Sequence, residues 1–206
     1  MRNLERMEKG MVYIADDEAF EQMKIARRLT QQLNTMDRAD LEGIAAVVKK
    51  LFGKSDNAFV NPPFYCDYGS NIEVGKNFFA NYNCCILDVG KVRIGDYCQM
   101  APNVSIYTAG HPLHPRTRSS GYEYGKSVTI GDRVWIGGSV VIVPGVHIGN
   151  NVVIGAGSVV TKDIPDMVVA AGNPCRVIKK ITEDDRKKLF KAEEIDEEAW
   201  IKIISE

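Results

Sequence analysis

His111 is the residue of this sequence that is best placed to do chemistry. It lies between Gly110 and Pro112 in the stretch TAGHPLHPRTRSSGYEYGKS. Glycine allows the backbone to come close to a ligand, and proline stiffens the chain beyond the histidine, so the imidazole is held in a defined place. An imidazole titrates near neutral pH and is suited to remove a proton from a reacting group as a general base. Spacing alone does not separate this role from that of an ordinary loop histidine.

The other histidines and the cysteines are weaker candidates. His114 competes with His111, although a surface or packing role is the simpler interpretation, and His147 stands at a repeat position from which side chains face outward. The five cysteines include one adjacent pair and no Cys-x-x-Cys spacing, so they predict buried reduced thiols rather than a disulfide framework or a zinc ribbon. They are Cys66, Cys84, Cys85, Cys98 and Cys175.

A six-residue repeat must supply the framework that positions these side chains. Six is not a multiple of the helical period of 3.6, and the pattern does not alternate as a simple strand does. Each hexapeptide therefore predicts one short strand and one corner, and three of them predict one coil of a parallel β-helix whose first-position residues point inward. The first positions are Ile130, Ile136, Ile142, Ile148, Ile154 and Val160, and the fifth positions are Val134, Val140, Val146, Val152, Ser158 and Ile164.

The repeat divides the chain into three segments. Residues 1–60 show helical spacing of apolar residues and predict a helical N-terminal arm of two short helices. Residues 61–181 contain the repeat, interrupted by a projecting loop at 108–127, and residues 182–206 predict a charged C-terminal helix. The predicted fold class is mainly β: a parallel β-helix with a helical arm at its start and a helix at its end.

Composition is that of a soluble globular protein. Of 206 residues, 45% are hydrophobic and 26% are charged, with a formal net charge of −1. This balance gives no electrostatic reason to expect nucleic acid or an anionic membrane as a partner. No apolar run approaches the roughly 20 residues of a membrane span. The start MRNLERMEKGMVY lacks the apolar region of a secretory signal, so a cytoplasmic location is expected.

Several motifs together resemble one enzyme family. They are the repeat itself, EKGMVY…RRLTQQLN, PPFYCDYGSNIEVGKNFFANYN, IGDYCQMAPNVSIYTAGHP and VVAAGNPCRVI. They resemble the hexapeptide-repeat acyltransferases, and among these the galactoside and maltose O-acetyltransferases, from about residue 8 to residue 182. The resemblance implies a left-handed parallel β-helix, acetyl-CoA as the acetyl donor, His111 as the general base, and a homotrimer with its sites between subunits.

The resemblance also assigns residues to the acetyl donor. Asn81 corresponds to an asparagine that faces the histidine, and an amide there can donate to developing negative charge. The backbone N–H of Gly138 is an alternative holder of that charge, and Trp135 is either a wall for the pantetheine or an anchor of a subunit interface. Cations are expected for the coenzyme phosphates, although alone they would pass for solvated surface residues. The remaining implied coenzyme contacts are Ala156, Thr161, Lys162, Arg176 and Lys179.

The acceptor side departs from the family pattern. The arm positions where relatives hold the sugar, with an aspartate and an arginine, fall at or near Ile14 and Met23. Asp67 stands where a serine contacts the sugar, and Asp88 matches an acidic corner at which Val89 replaces a second acid. The acceptor is therefore expected to carry several hydroxyls without being fixed as a galactoside or maltose. The candidate acceptor contacts are Asp67, Asp88 and, as substitutes in the arm, Asp16 and Asp17.

Three interpretations of function follow. The first is an O-acetyltransferase that transfers acetyl directly to a sugar-like hydroxyl without an acyl-enzyme, with antibiotic acetylation as a variant. The second is a zinc enzyme resembling the γ-class carbonic anhydrases, which requires three histidine ligands from a chain that has only three histidines. The third is a non-catalytic coenzyme- or sugar-binding β-helix, which Ile14 and Met23 keep open. The first is preferred, and no metal is expected.

Overall fold

Three helices form the N-terminal arm in the computed structural model, which describes residues 1–189 and 193–205. They are α1 (Asn3–Glu8), α2 (Asp17–Thr35) and α3 (Leu41–Leu51). Asp40 caps α3 by accepting the N–H of Gly43, and Asp16 caps α2 by accepting the N–H of Ala19. The sequence predicted two helices, and α1 is the one that it missed.

The arm is joined to the β-helix by packing and by one paired hydrogen bond. The buried face of α3 joins the main apolar core through Ile44, Val47, Val48 and Leu51. The Asn34 side chain near the end of α2 donates to the carbonyl of Phe64 (3.0 Å) and accepts the N–H of the same residue (2.8 Å). This amide therefore holds α2 against the first coils.

Short strands build the β-helix on three faces. The strands are β1 (Lys54–Asp56), β2 (Phe59–Val60), β3 (Phe64–Cys66), β4 (Ile72–Lys76), β5 (Phe79–Ala80), β6 (Cys84–Leu87), β7 (Val92–Ile94), β8 (Gln99–Met100), β9 (Ser105–Tyr107), β10 (Ala109–Gly110), β11 (Tyr124–Gly125), β12 (Val128–Ile130), β13 (Trp135–Ile136), β14 (Val141–Ile142), β15 (His147–Ile148), β16 (Val153–Ile154), β17 (Val159–Val160), β18 (Val168–Ala171) and β19 (Arg176–Lys180). Every pairing on the faces is parallel except β18 with β19.

The chain visits the faces in a fixed order. The first face contains β1, β4, β7, β12 and β15; the second contains β2, β5, β8, β13, β16, β18 and β19; the third contains β3, β6, β9, β14 and β17. We call the turns from first to second face the first corner, from second to third the second corner, and from third to first the third corner. The loop at 108–127 leaves and rejoins the β-helix at the third corner.

The predicted inward direction of the repeat is confirmed. All first-position and fifth-position residues from Ile130 to Ile164 are at most 4% exposed. Ser158 is the polar member of these columns, and its hydroxyl donates to the carbonyl of Gly155 and accepts the N–H of Gly172. A hydroxyl is therefore tolerated in the core because both of its roles are satisfied.

A column of oxygen-bearing side chains at the first corner explains the glycine that follows many first positions. The Asp96, Asp132, Asn150 and Asp166 side chains each accept a backbone N–H from the preceding coil, at 2.8–2.9 Å. A Cβ on the glycine below each of these side chains would lie 2.0–2.5 Å from the accepting oxygen. The glycines are therefore needed for space; they are Gly75, Gly95, Gly131 and Gly149.

Two predicted boundaries are wrong. Strands β1 and β2 belong to the β-helix, so it begins at Lys54 rather than at residue 61. In the described part of the helix predicted over residues 182–206, there is a 3-10 turn at Glu183–Asp185 and an α-helix at Glu197–Ser205, while residues 190–192 and 206 lie outside the described residues. In the described part of the chain, no helix is both long and apolar enough to span a bilayer.

Substitution of Gly131 tests the packing of the first corner. Gly131→Ala is expected to lower the free energy of unfolding by about 1–3 kcal/mol, because the new Cβ would lie 2.5 Å from the accepting oxygen of Asn150 and 2.8 Å from the backbone of Gly149 in the next coil. Gly138→Ala is the matched control, since the nearest atom to its Cβ is a carbonyl oxygen at 3.4 Å, and a change within about 0.5 kcal/mol is expected. Urea unfolding of both variants measures the difference. Equal losses would contradict the proposed role of the column.

Candidate active site

His111 lies directly beyond a short hairpin at the base of the projecting loop. Strands β10 and β11 pair antiparallel, Gly110 opposite Tyr124, and His111 follows β10 with an exposed side chain. A Cβ on Gly110 would lie 2.6 Å from the Tyr124 ring, so glycine is required for the ring to pack on the backbone beside the histidine. Leu113, two residues on, is 94% exposed.

Buried and arm residues fasten the base of this loop. The Thr108 hydroxyl donates to the carbonyl of Leu87 and accepts the N–H of Gly90, which fixes the start of the loop to the preceding coil. Tyr13 of the arm pairs with Glu123 through two backbone hydrogen bonds, and its hydroxyl donates to the Glu123 carboxylate at 2.5 Å. Burial and this carboxylate raise the pKa of Tyr13 above its usual value.

Tyr13 and Glu123 were not among the predicted site residues. Their contact joins positions 110 residues apart, since Tyr13 ends the EKGMVY motif and Glu123 lies in the loop that interrupts the repeat. No local signal in the sequence indicates the pairing.

Acidic side chains gather at the third corner, where the loop is rooted. Asp67 follows β3 and is half-buried; burial and the nearby Asp88 and Glu123 raise the pKa of its carboxyl to about 6. Asp88 follows β6 and is 0% exposed, and its carboxylate accepts the N–H groups of Asp67, Tyr68 and Asn71. The structure thus brings Asp67 to the same corner as the loop that carries His111.

The predicted contact between Asp88 and an acceptor is wrong. A side chain with no exposed surface cannot touch a ligand, and its oxygens are already occupied by backbone donors. Its carboxylate instead shapes the turn that presents Asp67. Burial also raises the pKa of Asp88, while the backbone donors oppose that shift.

The arm residues that depart from the family pattern are used in packing. Met23 packs against a second apolar cluster, and Ile14 lies beneath the loop, 3.7 Å from where a Cβ on Gly121 would stand. The Asp16 carboxylate accepts from the Asn3 amide and caps α2, and these hydrogen bonds lower its pKa. Asp17 is exposed in the first turn of α2. The cluster contains Leu4, Met7, Tyr13, Ala19, Tyr68 and Val89.

The second corner consists largely of small residues, and several of the predicted coenzyme contacts lie there, stacked coil upon coil. The N–H of Asn81 donates to the second face one coil further on, and so do those of Ala101, Gly137 and Gly155, so these four residues stack. Gly138 and Ala156 stand one residue later in successive coils. Around Gly157, which follows Ala156, a Cβ would meet nothing within 4 Å. The small residues therefore leave the backbone of this corner open to a ligand, and we call this strip of small residues the groove.

The Asn81 amide stands at one end of this groove. Its Oδ1 accepts the N–H of Tyr82 at 2.8 Å. Within residues 1–189 and 193–205, no protein atom accepts a hydrogen bond from its Nδ2. Asn81 and the His111 loop lie at different corners of one chain, so a single chain does not bring them together.

The predicted phosphate contacts lie at the C-terminal end of the β-helix. Arg176 is in register with Ala171, one coil beyond Gly155, at the second corner. Thr161 and Lys162 are exposed at the third corner, across the third face. Lys179 is exposed and forms an ion pair with the partly buried carboxylate of Asp185 at 2.5 Å.

Trp135, His114 and His147 all lie at exposed positions. Trp135 is 55% exposed on the second face between Gln99 and Val153, a position compatible with either an interface or a pantetheine wall. His147 Nδ1 lies 2.6 Å from the Thr129 hydroxyl on the outer side of the first face. His114 is exposed at the start of the short helix α4 (Pro115–Arg118). Among the residues that the structure describes, no three His, Cys, Asp or Glu side chains are grouped to hold a metal ion.

Comparison with known proteins shows to which family this chain belongs. Residues 127–162 match the bacterial transferase hexapeptide family of six repeats, and residues 6–56 match the maltose acetyltransferase hexapeptide capping motif. The chain is 45% identical to the galactoside O-acetyltransferase of Escherichia coli over 189 residues, 91% of this chain and 93% of that protein.

Two solved structures are similar over nearly their whole length. A maltose O-acetyltransferase from Clostridium difficile is 52% identical with a TM-score of 0.88, covering 89% of this chain and 99% of its own. A galactoside acetyltransferase in complex with coenzyme A is 43% identical with a TM-score of 0.91, covering 95% of this chain and 99% of its own. The chain therefore belongs to the hexapeptide-repeat acetyltransferases, in the group of the galactoside and maltose O-acetyltransferases.

Proposed function

We propose that this protein transfers the acetyl group of acetyl-CoA to a hydroxyl of a sugar or sugar-like acceptor, with His111 as the general base. The observation that carries the proposal is the division of the site between two corners. The third corner presents the exposed His111 loop and Asp67, and the second corner presents an open groove that begins at Asn81.

The reaction is a direct transfer. A nitrogen of His111 takes the proton of the acceptor hydroxyl as its oxygen attacks the thioester carbonyl carbon. The carbon–sulfur bond then breaks, the acetyl group remains on the acceptor oxygen, and the imidazolium returns the proton to the departing thiolate. The Nδ2 of Asn81 or the backbone N–H of Gly138 donates to the oxyanion formed on the way. No nucleophilic side chain is required.

The groove at the second corner suits the acetyl donor. From Asn81 to Ala171 it spans four strand spacings, about 19 Å, and presents backbone at Gly138, Ala156 and Gly157. A narrow chain such as pantetheine can lie along it, with its thioester near Asn81 and its phosphates near Arg176. Guanidinium and ammonium groups at that end supply charge-assisted hydrogen bonds to phosphate.

The acceptor is expected to carry several hydroxyls. Asp67 is a partly exposed carboxyl at the corner of His111, and a carboxyl hydrogen-bonds neighbouring sugar hydroxyls well. Asp17, an exposed acid of the arm, is the further candidate contact.

Removal of the proposed base gives the first test of catalysis. His111→Ala is expected to lower kcat by about 10²–10⁴-fold, measured as thiol release from acetyl-CoA with a panel of sugars, amino sugars and antibiotics. Binding of coenzyme A, measured by calorimetry, should stay within about twofold because the groove holds the coenzyme along its length and His111 is expected to meet only the acetyl-bearing end. His114→Ala, three residues away on the same exposed loop, should keep the wild-type rate. A fully active His111→Ala variant would overturn the mechanism.

Filling the groove tests the donor site. Ala156→Leu is expected to raise the KM for acetyl-CoA by about tenfold or more, because the larger side chain prevents close approach to the backbone. Ala156 is exposed, so the melting temperature should hardly move. Ala46→Leu, on the exposed side of α3, is the matched control and should leave the KM unchanged. An unaltered KM in Ala156→Leu would place the coenzyme elsewhere.

We further propose a homotrimer in which the third corner of one subunit meets the second corner of the next. Separation of His111 and Asn81 within one chain supports this arrangement, since closed cyclic assemblies place unlike surfaces together. Apolar side chains on exposed positions, including Leu113 and Trp135, supply contact area for such an interface.

Subunit mixing tests the shared site. The His111→Ala and Asn81→Ala proteins are first assayed alone to establish that each has lost activity. Unfolded together and refolded as an equal mixture, they should then recover roughly a quarter of the wild-type activity, because one interface in four joins an intact His111 to an intact Asn81. Light scattering should show a mass of three chains. Each variant refolded alone is the control. No recovery from mixed trimers would show that each site is complete within one chain.

A further inference from the structure

We propose that Tyr13 and Glu123 are positioning residues for His111, forming a clamp that ties the N-terminal arm to the projecting loop. The inference rests on the proposed function, because it assigns the clamp a part in the transfer that His111 performs. Neither residue touches the reacting atoms of the proposed transfer; both act by fixing the chain that carries the base.

The clamp forms a third chain beside the hairpin of the loop. Tyr13 and Glu123 exchange backbone hydrogen bonds of 2.9 and 3.0 Å in an antiparallel bridge. Glu123 directly precedes β11, which pairs with β10, and His111 directly follows β10. The arm, β11 and β10 therefore lie side by side, and the histidine is the first residue beyond this small sheet.

Burial makes the arm side of the clamp rigid. The Tyr13 ring is 0% exposed and packs in the second apolar cluster against Tyr68 and Val89. Its hydroxyl donates to the Glu123 carboxylate at 2.5 Å, a charge-assisted bond that is stronger than one between neutral groups. The loop is thus tied to a side chain that cannot move without opening the cluster.

The outer part of the loop depends on this tie. Every residue from 113 to 122 is exposed, so burial does little to order the segment within one chain. At the other end of the loop, Thr108 holds the start to the preceding coil. With Thr108 before His111 and Glu123 after it, the histidine is fixed from both directions.

Three substitutions separate positioning from folding. Tyr13→Phe keeps the buried ring and removes the hydroxyl, Glu123→Ala removes the acceptor from a partly exposed site, and Glu123→Gln keeps an oxygen acceptor. Tyr13→Phe and Glu123→Ala should each lower kcat about tenfold, with the KM for acetyl-CoA and the number of coenzyme sites per chain unchanged. Glu123→Gln should stay within about threefold of wild type. Tyr122→Phe, an exposed neighbour, should match wild type.

A second measurement does not depend on activity. Trypsin can cut the loop after Arg116 or Arg118, both of which are exposed. Tyr13→Phe and Glu123→Ala should speed this cleavage about tenfold, and Glu123→Gln and Tyr122→Phe should not. Variants that fail to fold would lose coenzyme sites, which the site count detects.

The outcomes separate the two proposals. Unchanged kcat and unchanged loop cleavage in both Tyr13→Phe and Glu123→Ala would overturn the clamp, and so would equal losses of kcat and of coenzyme sites. Faster cleavage in a protein whose wild type acetylates no hydroxyl acceptor would support the clamp as the device that orders the loop and would overturn the proposed function.

Discussion

Coil-to-coil stacking is the constraint on which the rest of this structure depends. Each short strand pairs with its equivalent in the next coil, and inward residues stack on inward residues, so no coil has a core of its own. The same stacking determines the residue types and the backbone conformation of the corners. At the first corner, glycine is required beneath each accepting oxygen. Tyr97, Arg133 and Met167 have positive φ there, because the backbone must turn at the same place in every coil.

This rigidity explains why the candidate site is divided. A regular coil offers a straight edge with little freedom, which suits a long, narrow ligand, and the groove from Asn81 to Arg176 is such an edge. A general base must project from the surface to meet a second substrate, and the proposed base lies where the repeat is interrupted. In the proposed reaction the regular part holds the donor, and the irregular part carries the proton transfer.

Much of the fold and part of the site could be predicted from the sequence, for physical reasons. The period of six is a local signal, because stacking imposes the same residue types on every coil. The first-position residues of the repeat, from Ile130 to Val160, are buried as predicted. His111 was singled out by its flanking glycine and proline and assigned as the base through the family resemblance, and its role stays a prediction. The Tyr13–Glu123 contact could not be predicted, since it joins distant positions through tertiary packing. The contact predicted for Asp88 was wrong because residue type shows an acid and does not show which hydrogen bonds it already accepts.

The acids of the third corner show how one residue type serves two purposes. Asp88 is buried and accepts three backbone N–H groups, so its charge is used to hold the turn. Asp67, which that turn presents, keeps part of its surface, and its pKa of about 6 follows from burial beside Asp88 and Glu123. A carboxyl with that pKa is protonated in a large fraction of molecules near pH 6, and then it donates as well as accepts. Because Ile14 and Met23 are engaged in packing, the proposed acceptor contact at this corner is Asp67, which the β-helix itself positions. The proposed part of the arm is to fasten the loop rather than to present polar groups at those two places.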